Sequence, residues 1–118
     1  MGEIMEKIKK SKVMVIKFGK LIDKEELVRI FGRVNNRFKI WGNPMRLGPN
    51  KIHIYGVDKH SWKSIWLELT DEHLVAVMFD DDCMDVFYRL VCNIQRDIDA
   101  SAKAFVGGKE MIRTRCWK

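Results

Sequence analysis

Two rhythms of apolar residues alternate along this chain, one with the period of a strand and one with the period of a helix. Val13 to Phe18 is apolar and β-branched with Lys17 as its only charge, which predicts a first strand. Asp23 followed by Glu26 has the spacing of a capping box. Leu27, Ile30, Phe31, Val34 and Phe38 then recur at helical intervals, so an amphipathic helix is predicted from about Lys24 to Phe38. Lys51 to Val57 and Trp62 to Leu69 alternate like strands around a short turn, Asp58-Lys59-His60-Ser61. In the second of these Ile65, Leu67 and Leu69 point one way, and Trp62, Ser64, Trp66 and Glu68 the other. Leu74 to Phe79 is unbroken apolar sequence, as expected of a central strand. Val86, Phe87, Leu90, Val91, Ile94, Ile98, Ala102 and Phe105 return to helical spacing after Asp80-Asp81-Asp82, and Gly107-Gly108 ends that run. Met111 to Trp117 predicts a closing strand, and Ile4, Met5 and Ile8 a short helical start.

The order is therefore β-α-β-β-β-α-β. It predicts an α+β two-layer sandwich, two helices packed on a largely antiparallel sheet of about five strands, in one domain spanning residues 1–118. That order resembles the ferredoxin-like one with an added strand, a likeness of element order that carries no function. Lys39 to Asn50 holds Gly42, Asn43-Pro44 and Gly48-Pro49-Asn50, turn chemistry that predicts a long loop.

Charge changes this picture more than composition does. The net charge of +6 conceals blocks of opposite sign: residues 27–70 carry eight Lys/Arg against two acids, and residues 71–99 eight acids against two Arg. If folding preserves that separation, the molecule presents a basic region and an acidic region as docking surfaces. No apolar run approaches the roughly 20 residues that cross a bilayer, and Met1 to Lys12 lacks the apolar stretch of a secretory signal. Cys83, Cys92 and Cys116 are odd in number and form no Cys-x-x-Cys pair, so they are read as core thiols in a protein of the reducing cytoplasm.

Three groups of residues bear candidate chemistry. Arg33, Arg37, Lys39, Arg46 and Lys51 interleave with Phe38 and Trp41, and cations beside an exposed aromatic are what a single nucleic-acid strand needs for its phosphates and bases. The competing reading is a solvated helix face with Trp41 covering the edge of the core. Trp62 and Trp66 share a strand face; if helices cover the opposite face, they form an interface, most simply that of a homodimer, and the competing reading is that the Trp face is itself the core face. Asp80, Asp82 and Asp85 follow a central strand, where carboxylates hold Mg²⁺ or Mn²⁺, but helix capping by Asp82 and Asp85 asks less of the sequence.

Cys83 among these carboxylates is a poor nucleophile, and His53, His60 and His73 lack the close spacing of a metal motif. No cofactor is implied. The leading expectation is a small non-catalytic binding module that contacts nucleic acid or an acidic protein through a basic and aromatic surface. The alternatives are a metal-dependent phosphodiesterase or nuclease on the aspartate cluster, and a protein-binding inhibitor or adaptor from a mobile element.

Overall fold

A computed structural model describes residues 11–31, 37–80 and 83–111. Seven strands and two helices follow one another as β1 (Lys12–Lys17), α1 (Lys24–Phe31), β2 (Ile40–Arg46), β3 (Ile52–Asp58), β4 (Ser64–Leu69), β5 (His73–Met78), α2 (Met84–Asp97), β6 (Lys103–Val106) and β7 (Lys109–Glu110). All strands join one antiparallel sheet in the order β2-β3-β4-β5-β1-β6-β7. The α+β class stands, with a sheet of seven strands where about five were expected.

Three of the strands, β2, β6 and β7, come from segments where the sequence predicted none. The expected loop 39–50 is mostly β2, an edge strand, where Pro44 is tolerated because one side of the backbone needs no partner. Gly42 pairs with Gly56 of β3, and an added Cβ on Gly56 would stand 2.0 Å from the carbonyl oxygen of Trp41. Paired glycines let the two backbones approach. The second difference lies after α2, which ends at Asp97 although apolar residues continue at helical spacing to Phe105. The Asp99 side chain accepts hydrogen bonds from the Ser101 backbone (3.0 Å) and hydroxyl (2.6 Å), a local alternative to continuing the helix. Ala104 then faces the core and Phe105 the opposite side, as strand alternation requires. Gly107 and Gly108, at φ 59° and 80°, join β6 to β7 in the left-handed turn such a hairpin prefers.

The first helix is described through Phe31; residues 32–36, Val34 among them, lie outside the described residues, as do the expected N-terminal start and the closing strand from residue 112, whereas Arg37 and Phe38, expected at the end of that helix, form a turn instead. Its N-cap is as expected: the Asp23 carboxylate accepts from the Glu25 backbone N–H at 3.0 Å. Cys83, not Asp82, occupies the N-cap position of α2 and makes no side-chain cap; Asp81 and Asp82 are outside the described residues.

Among the described residues, helices cover one face of the sheet and none covers the other. Met14, Ile16, Ile40, Ile52, Ile54, Ile65, Leu67, Leu69, Leu74, Ala76 and Met78 pack beneath Leu27, Phe31, Val86, Phe87, Leu90 and Ile94 of the two helices. Cys83 is a free, buried thiol in that core. Cys92 is disulfide-bonded, which departs from the expectation of three thiols and removes the cysteine argument for a reducing compartment. No helix among the described residues is long and apolar enough to cross a membrane.

Candidate binding surface on the open sheet face

Strand alternation determines what the helix-free face presents. Since Ile40, Ile54, Ile65 and Ala76 point into the core, Trp41, Tyr55, Trp66 and Val77 point away from it. Register brings them together. Tyr55 is the direct partner of Trp66, and Trp66 of Val77, which in turn pairs with Val13 of β1. Trp41 lies opposite Val57 on the edge. The rings are accessible: Trp41 is 43% exposed, Tyr55 61% and Trp66 40%. Tyr55 and Trp66 meet edge to face with centroids 6.1 Å apart, and the His53 ring packs on Trp66 at 5.0 Å. Aromatic area left uncovered on a sheet is a surface for a partner or for stacked bases.

Beside the rings, Glu68 gathers three basic side chains. His53 Nε2 lies 3.2 Å from Glu68 Oε1, His73 Nε2 lies 3.5 Å from Oε2, and Lys51 Nζ is 3.4 Å from Oε1. Burial pushes this carboxyl up, but the hydrogen bonds from the two histidines and the lysine outweigh it, so Glu68 sits below its usual range. The two histidines thus converge on one carboxylate although twenty residues separate them in sequence. Among the described residues no group of three His, Cys, Asp or Glu side chains is placed to hold a metal ion.

The basic residues singled out from sequence are divided between the layers. Arg46 turns to the helix side and donates from Nε to Glu25 of α1 at 3.1 Å. Arg37 lies 3.3 Å from Asp97 at the end of α2. Lys51 stands on the open face against Glu68, and Lys39, at φ 59°, is exposed where the chain enters β2. Arg33 is outside the described residues. Two ion pairs join the blocks, Arg37 of the basic one with Asp97 of the acidic one and Arg89 of the acidic one with Asp58 of the basic one, while Arg46 pairs with Glu25, which belongs to neither. Charge segregated along the sequence is thus bridged in space at two points.

Trp62 and Trp66 also part company. Trp66 stays on the open face of β4. Trp62 precedes the strand, in the turn, at φ 60° and 74% exposed. Asp80 and Asp85 flank the start of α2, Asp85 in its first turn where the positive helix end favours a carboxylate. Burial raises the thiol of Cys83, consistent with an inert core cysteine.

Tyr55, His53, Val57 and Val77 belong to this surface and were not singled out from sequence. The alternation of β3 places His53, Tyr55 and Val57 on one side, a visible signal. Which side stays open depends on where the helices pack, and the period of one strand does not carry that information.

Neither a curated protein nor a solved structure matches this sequence. A family model described as MJECL33-like protein matches residues 3–112, nearly the whole of it, and the chain therefore belongs to the MJECL33-like protein family.

Proposed function

We propose that this protein is a small non-catalytic binding module whose open sheet face takes a single strand of nucleic acid. The observation that carries this reading is the row of uncovered rings on adjacent strands, Trp41 on β2, Tyr55 on β3 and Trp66 on β4. Every base has a π-face, so such a platform binds by stacking without a hydrogen-bonding code, each stacked base adding about 1–3 kcal/mol. Lys39 borders the rings as a counter-charge for phosphate, while Lys51 beside them is shared with Glu68. The basic loop contributes less than its sequence suggests, since Arg37 and Arg46 are spent on acids of the helical layer.

Fluorescence anisotropy of labelled single-stranded and duplex oligonucleotides, at rising salt, tests the reading. Binding of the single strand that weakens with salt is the expected result. Absence of binding at low salt sinks it. Concentration-dependent dimerisation through the same rings would instead assign the face to a second copy, and capture of an acidic peptide in place of an oligonucleotide would assign it to a protein partner. Asp80 and Asp85 add no observation in favour of a metal-dependent nuclease.

A further inference from the structure

Lys17, the last residue of β1, has a basic residue directly opposite it on both sides. Its partner in β5 is His73 and its partner in β6 is Lys103, and all three lie on the open face with Val15, Val75 and Phe105. Like charges facing each other across a ladder are destabilising. Here no carboxylate separates the lysines. Among the described residues Lys17, Lys20 and Lys103 have no acidic group within ion-pair distance. Lys17 Nζ leans over the Phe105 ring, 5.4 Å from its centroid.

The row opens onto a cleft of about 520 Å³ lined by Lys17, Phe18, Gly19, Lys20, Glu72 and His73. Its walls are fixed. Phe18 N–H donates to Glu72 O (3.0 Å), Ile22 N–H to Asp71 O (2.9 Å), and Gly19 N–H to the buried Asp99 carboxylate (2.8 Å). A Cβ on Gly19 would stand 2.1 Å from Ser101 Oγ, so only glycine permits this approach. Lys20 is thereby carried on a braced segment, and among the described residues Glu72 is the one acid lining the cleft, with the buried Asp99 near enough to Lys20 to feel its charge.

We propose that Lys17, Lys20 and Lys103 form an oxyanion site for phosphate groups. On the reading given above, its occupant is the backbone of the bound strand. Strand spacing and rise place Lys17 about 16 Å from Trp66, two strands across and four residues along. Val13, Val15, Val75 and Val77 pave the interval. Bases stacked on the rings and phosphates held by the lysines would then belong to one short oligonucleotide crossing the sheet obliquely.

Two probes separate this site from the platform. Inorganic pyrophosphate, titrated into ¹⁵N-labelled full-length protein, is expected to shift the amides of residues 17–20, 73 and 103 and to lose that effect in the Lys17→Ala/Lys103→Ala variant. A labelled oligothymidylate, titrated between about 50 and 200 mM salt, is expected to bind the same variant with a slope of log K on log salt smaller by about 1.4, since each lost single-strand phosphate contact removes about 0.7. Arg29→Ala, a charge loss on the helical layer, controls for net charge and should keep the parent slope. Pyrophosphate that leaves those amides unmoved overturns the site whatever the oligonucleotide does. An oligonucleotide that fails to bind while pyrophosphate moves them overturns the platform reading and supports the site. An unchanged salt slope in the double variant, with Trp66→Ala weakening binding, overturns the assignment of the backbone to these lysines.

Discussion

Arg89 of α2 donates from Nη1 to Oδ1 of Asp58, the last residue of β3, at 2.6 Å, and the same nitrogen donates to the carbonyl oxygen of Phe38 at 3.2 Å. One guanidinium therefore joins the helical layer to the sheet and to the chain entering β2. Asp58 is 1% exposed, and its other oxygen accepts from the Ser61 N–H (3.0 Å) and hydroxyl (2.7 Å). The helix, the sheet end and the hairpin that displays Trp62 are consequently coupled through one buried carboxylate.

Arg89→Met should be strongly destabilising for that reason. Removing one partner of a buried pair leaves an uncompensated charge, at a cost of about 3 kcal/mol or more. Urea unfolding followed by tryptophan fluorescence measures it. A loss below 1 kcal/mol would mean that Ser61 alone satisfies Asp58.

Acid should destabilise the fold through three carboxylates. Burial pushes Asp58 and Asp99 up, but hydrogen bonds from Arg89 and Ser61 in one case, and from Ser101 and Gly19 in the other, more than offset it, so both lie below the ordinary aspartate value of 3.8. Glu68 is likewise lowered from 4.5. A carboxyl whose folded pKa is depressed binds fewer protons folded than unfolded. Its stabilisation is therefore complete above the unfolded value and is lost as pH falls through the folded one. The thermal midpoint should be level above about pH 5 and fall steeply below 3.8. Asp99→Asn should flatten part of that fall; a midpoint that holds steady down to pH 2 contradicts the assignment.

Gly56→Ala tests how β2 is held. The new Cβ would meet Trp41 O at 2.0 Å and Gly42 Cα at 2.6 Å, both backbone atoms that cannot turn aside. Displacing the edge strand should cost about 1–3 kcal/mol. Amide exchange should accelerate selectively over Ile40–Arg46, with β4 and β5 unaffected. Uniform acceleration would show global destabilisation instead.

Local periodicity made most of this architecture legible. The strands at 12–17, 52–58, 64–69 and 73–78 and the start of α1 all follow from patterns within single elements. What escaped depended on contacts distant in sequence. Pro44 and Gly42 are loop residues until Gly56 is known to lie opposite them, and the helical spacing through Phe105 is interrupted by an aspartate whose partners include Gly19, eighty residues earlier. The site was half visible for the same reason. Trp41 and Trp66 attract notice anywhere, whereas the row His73–Lys17–Lys103 exists only after three strands pair, and Arg46, though exposed, is known to be paired only once Glu25 is beside it.

Trp62→Gly distinguishes a ring kept for structure from one kept for binding. Left-handed backbone costs a residue with a Cβ about 1–2 kcal/mol, and a bulky aromatic is rarely found there. Trp62 holds φ 60° while three-quarters of it faces solvent, so its ring repays little of that strain by packing. Glycine adopts the same φ freely but loses more chain entropy on folding, a partial cancellation. Stability should therefore be unchanged or raised by up to about 1 kcal/mol, although a large aromatic has been deleted. Tyr55→Ala and Trp66→Ala should each weaken single-strand binding about 5- to 150-fold, as loss of one stacked base predicts. If Trp62 extends that platform from the turn, Trp62→Gly weakens binding by a similar factor without destabilising the fold. A drop in stability of 2 kcal/mol or more would instead make Trp62 a structural residue of the hairpin and remove it from the binding surface.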